Sequence, residues 1–161
     1  MSGVGFKLEI AGLDQAVARL NALGTIHFYE LLDRLSAIGK TQTEKRIRLE
    51  KTTPDGKAWP KTTDGRGALY VTGAFAHNYI QAEVSGDDAV WGSGWKAARI
   101  HQFGGVIRPV NAKCLAFSIG AKKIFAKASK IPARAYLGVS AENARELEAA
   151  AVKFIGLRLT A

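Results

Sequence analysis

The order of patterned segments predicts an α+β fold: a single domain in which helices pack on an antiparallel sheet, with a long helix in the N-terminal half and another at the C-terminus. Three observations carry this expectation. An alternating stretch near the start is followed by helical spacing. The middle of the chain is a run of short apolar segments punctuated by Gly, Asp and Pro. The end is a long amphipathic pattern behind a good N-cap residue.

Taken in order, "FKLEIAGLD" alternates, with Phe6, Leu8 and Ile10 on one side and Lys7 and Glu9 on the other, and reads as a strand ended by Gly12. Asp14 is placed to cap a short helix that closes at Gly24. From about residue 25 to 51, Leu31, Leu32, Leu35 and Ile38 recur at helical spacing. Lys45, Arg46, Arg48 and Lys51 read as a solvated, cationic helix end that suits the C-terminal dipole, with phosphate contact as the other reading. Pro54, Asp55-Gly56 and Pro60 then open a loop over about 52–67 that is long for a compact domain, so mobility or use in contacts is expected. Trp59 is its apolar anchor to the core.

A short helix or turn is expected around residues 69–75 and a strand over about 78–84. "GDD" at 86–88 is a hairpin turn, and "AVWGS" the returning strand. "GWKAARIHQFGG" reads as a short helix or turn ended by Gly104-Gly105. "VIRPV" and "CLAFSI", on either side of "NAK", read as a β-hairpin. Residues from about 119 to 131 read as a flexible basic loop or extended arm. Ser140 caps the last helix, whose buried face is expected to be Leu147, Ala151, Phe154 and Leu157.

With 161 residues, the chain can bury a real core. Its 47% hydrophobic and 23% charged residues are ordinary globular composition. No apolar run approaches a membrane span and no signal peptide is expected. A single cysteine, Cys114, excludes a disulfide framework and a cysteine-rich zinc site, so a reducing cytoplasm is the expected place of synthesis. The net charge of +9 favours an acidic partner: nucleic acid, membrane headgroups or an acidic protein surface.

Catalysis needs convergent groups. The histidines His27, His77 and His101 form no HExxH and no i, i+4 pair, no GxSxG is present, and Cys114 sits in an apolar run as an inert buried thiol would. No cofactor and no metal are expected, and the chain is read as a non-enzyme. His101 beside Gln102 and Phe103, ahead of Gly104 and Gly105, reads as a tight corner in which the His hydrogen-bonds backbone; a ligand or proton role is the alternative.

Four short motifs stand in order: "PDGKAW" (54–59), "LYVTGAF" (69–75), "WGSGWKAARIHQFGG" (91–105) and "IPARAYLGVS" (131–140). Together they resemble the phage virion morphogenesis family of Mu-like phages and prophages, related to tail completion proteins of contractile-tailed phages. Two places depart from the family pattern: residues 95–98 replace a Tyr-Ala pair, and Ala135-Tyr136 a Pro-Phe pair.

The resemblance implies a structural role at the head–tail junction: tail completion, neck or tail terminator. The chain would be a homo-oligomer, a ring of six-fold symmetry around the DNA channel. Head connector and tail tube or terminator proteins would be its neighbours, with non-specific DNA contact in the channel and no membrane. His101, Gln102, Phe103, Gly104 and Gly105 would then be a structural or interface corner. Pro132, Arg134 and Tyr136 would form a second fixed segment, with Arg134 in a buried or interfacial polar contact. Lys122, Lys123, Lys127 and Lys130 would line a DNA channel or dock on an acidic surface. The rivals are a sequence-independent DNA-binding protein acting outside the virion and a hydrolase with a dispersed site.

Overall fold

The computed structural model describes residues 4–7, 17, 28–62, 68–69, 74–119 and 121–159. Nearly all of the expected helix behind Asp14, residues 8–10 of the first strand, and His27 lie outside the described residues, as do positions 63–67 of the long loop. The elements are β1 (Val4–Lys7), α1 (Phe28–Lys45, continued by a wide π-type turn over Arg46–Glu50), α2 (Ala74–Tyr79), β2 (Ile80–Ser85), β3 (Asp88–Ser93), α3 (Ala98–Phe103), β4 (Gly105–Ile107), β5 (Leu115–Ile119), β6 (Lys122–Ala126), β7 (Ser129–Ile131) and α4 (Ala141–Leu159).

The main sheet runs in the order β1-β3-β2 and is antiparallel throughout. Strand periodicity decides which side meets the helices. Ala89, Trp91 and Ser93 of β3 point inward and are buried, and they pair in register with Val84, Ala82 and Ile80 of β2. Gly86, at φ 60°, makes the tight turn between these strands. Helix α1 lies across β2 and β3 and also packs on α4. Its buried stripe runs Leu31, Leu32, Leu35, Ser36, Gly39, Gln42 and Thr43, then Arg46 and Ile47 in the π-type turn. The stripe therefore turns from apolar to polar without leaving the core.

The structure corrects four expectations. Arg46 is not part of a solvated cationic end: it is 1% exposed. Leu157 is 60% exposed rather than on the buried face of α4. Helix α4 runs antiparallel to α1, with Phe154 beside Arg34, so three residues later it has reached the first turn of α1, where the supporting surface ends. Residues 105–119 do not form one hairpin. β4 pairs with β7, and β5 pairs with β6, so the residues read as a basic loop or extended arm are strands. Local adjacency favoured the nearer pairing, but β5 pairs along its whole length with the strand that follows it, from Leu115 opposite Ala126 to Ile119 opposite Lys122. Cys114 is half-buried rather than fully buried.

Candidate functional site

All four motifs meet around one extended segment, residues 134–138, the second of them through Phe75, whose ring packs edge-on against Tyr136 with centroids 5.3 Å apart. This segment is buried without belonging to a helix or strand, so its amides and carbonyls need partners from elsewhere. Side chains supply them.

Gln102, 9% exposed on α3, does the most. Its Oε1 accepts from the N–H groups of Tyr136 and Leu137, both at 3.0 Å, and its Nε2 donates to the Leu137 carbonyl at 2.9 Å. A primary amide offers both an acceptor and a donor, so one side chain imitates a neighbouring strand. Arg46 arrives from α1. Its Nη1 donates to the carbonyls of Tyr136 at 3.0 Å and Gly138 at 2.8 Å, and its Nη2 donates to Asn143 Oδ1. Its Nε lies 3.8 Å from the Glu50 carboxylate, an ion pair without a hydrogen bond. Burial pulls the Arg46 pKa down and Glu50 partly offsets this; guanidinium nevertheless stays charged.

Trp59 and Arg134 tie the loop after α1 to the same segment. The loop turns tightly: Thr53 N donates to the Lys57 carbonyl at 2.8 Å, and Trp59 N returns to the Lys51 carbonyl at 2.8 Å. Trp59, 6% exposed, donates from Nε1 to the Ala135 carbonyl at 3.0 Å. Arg134 donates from Nε to the Pro60 carbonyl at 3.0 Å and from Nη2 to that of Lys61 at 3.3 Å. Its own N–H meets the His101 carbonyl at 2.7 Å. Two glycines permit the close fit. A Cβ on Gly104, which has φ 73°, would sit 2.8 Å from Ala133 N, and one on Gly138, at φ 142°, would sit 2.5 Å from Pro54 Cγ.

At the far end of the segment, Ser140 and Asn143 cap α4 reciprocally. Asn143 N donates to Ser140 Oγ at 3.1 Å, and Ser140 N to Asn143 Oδ1 at 3.4 Å. Gln42 of α1 donates to the Asn143 carbonyl at 3.2 Å and to Glu146 at 2.7 Å, which locks α1 to the start of α4.

The structure divides the residues singled out from the sequence. Gln102, Gly104, Arg134, Tyr136 and Trp59 converge on this clamp. Tyr136 is fully buried, and burial pushes its phenol pKa up, with Ser93 partly offsetting this. Pro132 is half-buried at the entry to the segment. Phe103 is 66% exposed, and Gly105 begins β4 and pairs with Ile131. Lys122, Lys123, Lys127 and Lys130 are exposed on or beside the β5–β6 and β4–β7 ribbons.

His101 does not provide the corner hydrogen bond expected of it; its neighbour Gln102 provides that geometry. The ring of His101 stacks on Trp95 with centroids 4.9 Å apart and planes 15° apart, and its Nδ1 is buried with no hydrogen-bond partner among the described residues. Burial, then the nearby Arg134 charge, pulls its pKa below the ordinary 6.5. The folded state therefore resists protonation that the unfolded chain accepts. The stability this gives is complete above pH 6.5 and is lost as pH falls through the lowered folded value. We expect His101→Gln to show a shallower loss of melting temperature than the parent on acidification between pH 6.5 and that lowered value. Parallel slopes in thermal melts across that range would disprove the assignment.

Gln42 and Asn143 escaped the sequence reading, and Arg46 reads there as a solvated cation. The signal for Gln42 and Arg46 is spacing: Leu35, Gln42 and Arg46 continue the buried stripe of α1 at steps of seven and four. Nothing local marks Asn143 apart from its place three residues after Ser140.

Among the described residues, no group of three or more His, Cys, Asp and Glu side chains could hold a metal ion. None of the described helices is long and apolar enough to cross a membrane. A model of the phage virion morphogenesis family matches residues 8–155. No curated protein and no solved structure matches the chain.

Proposed function

Because the chain belongs to the phage virion morphogenesis family, and so takes part in building the phage particle, we propose that it acts at the head–tail junction as a tail completion, neck or tail terminator protein. In this reading, copies close head-to-tail into a ring, with six-fold symmetry, around the DNA channel. Connector proteins on the head side and tube or terminator proteins on the tail side are the neighbours.

The observation that carries this reading over an enzymatic one is where the side chains of the clamp, three from the motifs and Arg46 from the end of α1, direct their donors. Gln102, Arg46, Arg134 and Trp59 all donate to carbonyls of their own chain. The motifs build a braced scaffold, which suits a subunit under mechanical load between two assemblies.

The test is negative-stain microscopy of lysates from a phage lacking this gene. Full heads beside unattached tails, or tails of uncontrolled length, are expected. Normal infectious particles would overturn the proposal.

A second reading is favoured by the exposed Lys122, Lys123, Lys127 and Lys130: a sequence-independent DNA-binding protein acting outside the virion. Tight, salt-sensitive binding of the purified chain to duplex DNA, together with normal particles in the deletion, would select it.

A further inference from the structure

The net charge of this chain comes from one segment. Between Asp88 and Glu142 there is no acidic residue and there are nine basic ones; the rest of the chain carries 14 basic and 14 acidic. The whole +9 therefore comes from residues 89–141. Arg134 is buried in the clamp, and the remaining eight cations of the segment are exposed. Six of them, Arg108, Lys113, Lys122, Lys123, Lys127 and Lys130, lie on or between the ribbons β4–β7 and β5–β6.

The same ribbons expose apolar side chains. In the β5–β6 register, Leu115 faces Ala126, Phe117 faces Ile124 and Ile119 faces Lys122. Opposed residues share a face, so Leu115, Phe117, Ile119 and Ile124 form one apolar face. They are only half-buried, or exposed in the case of Phe117 at 37%. Among the described elements, β5 and β6 pack chiefly on each other. Phe125 on the opposite face is 68% exposed, and Val110, between the ribbons, is 92% exposed. A two-stranded ribbon with an uncovered apolar face is marginal in water and gains stability when another surface covers it.

We propose that the ribbons formed by residues 105–131 are a docking arm for an acidic protein surface of the phage particle, one that carries apolar sites among its carboxylates. The proposal rests on the structural role argued above. The combination of charge and apolar face selects this occupant. Duplex DNA would answer the cations with phosphates but leave Phe117 and Ile124 in water. A second copy of this chain would answer the apolar face, but outside the arm it carries 17 basic and 14 acidic residues, so it lacks the carboxylate excess that six clustered cations call for. An acidic protein surface answers both. The cations steer and orient the encounter, and the apolar face gives the contact its lifetime.

The experiment uses the full chain and the heads and tails purified from a phage lacking the gene, read by cosedimentation, with a fluorescent DNA duplex as a separate probe. We expect the parent chain to bind one kind of particle, more weakly as salt rises. Phe117→Ser and the double variant Lys122→Glu/Lys123→Glu should each weaken that binding by about tenfold or more, as loss of a central contact does. Phe117→Leu should bind like the parent. Thermal melts coincident with the parent would show that the clamp and core are intact. Binding to duplex DNA should fall in the charge-reversed variant alone. A photoreactive residue replacing Lys123 should crosslink to a net-acidic segment of a particle protein. Parent-like particle binding by Phe117→Ser would overturn the proposal. So would no particle binding by the parent, or a crosslink to a second copy or to a neutral or basic surface. Particles that are defective in the deletion but bind the arm variants normally would sink the arm and leave the junction role standing.

Discussion

Arg46→Met should cost about 3–5 kcal/mol of stability, because it leaves buried acceptors without a donor rather than merely deleting a charge. The carbonyls of Tyr136 and Gly138, and Asn143 Oδ1, all lose the guanidinium that now serves them. The side chain is 1% exposed, so water has no direct route to replace it. Met fills much of the volume, which isolates the polar loss from a cavity. For a domain of this size the melting temperature should fall by about 10 °C or more. Arg46→Lys should recover only part, since a single ammonium can replace Nη1 between the two carbonyls but not also the Nη2 that serves Asn143. Urea denaturation reads both variants; a loss under about 1 kcal/mol for Arg46→Met would mean that the segment is held by its other partners alone.

Gly39→Val should be comparably severe for a different reason. Gly39 lies on the buried stripe of α1, and a Cβ built there would sit 2.4–2.6 Å from three ring atoms of Trp91. Trp91 is 1% exposed and wedged in the sheet, so its rigid ring cannot yield without moving β3. Overpacking of this kind costs about 1–3 kcal/mol and more when backbone must shift. Even Gly39→Ala, which gains about 1 kcal/mol of helix propensity, should be destabilising. Combining Gly39→Ala with Trp91→Leu should cost less than the sum of the single changes, because the smaller partner removes the overlap. Strict additivity in denaturation midpoints would show that the helix–sheet contact does not set the cost.

Much of the fold is legible because it follows local periodicity. The alternation of Ala89, Trp91 and Ser93, the turn at Gly86 and the cap at Ser140 all act within a few residues of their cause. What was not legible depends on partners distant in the chain. β4 waits for β7 rather than β5, a choice that no short pattern encodes. His101 drew the eye because imidazole chemistry is conspicuous, whereas Gln102 beside it carries the three hydrogen bonds. Arg46 resembled a surface cation because its neighbours Lys45 and Arg48 are surface cations; only the helical phase separates it from them. The family motifs marked the clamp's location, but side-chain-to-backbone bonding leaves no periodic signature in sequence.

The clamp also orders events in time. Arg46, Trp59 and Gln102 are made by the ribosome well before the segment they hold, with Arg46 preceding Tyr136 by 90 residues. Until that segment emerges, their donors have only water or transient partners, so the half-made chain gains little from burying them. Closure of the core is therefore postponed to the end of synthesis, when residues 134–138 and the cap of α4 arrive together. A chain stopped short of this point would keep its helical patterns and lose the reason for them to stay packed, which makes folding of the subunit close to all-or-none.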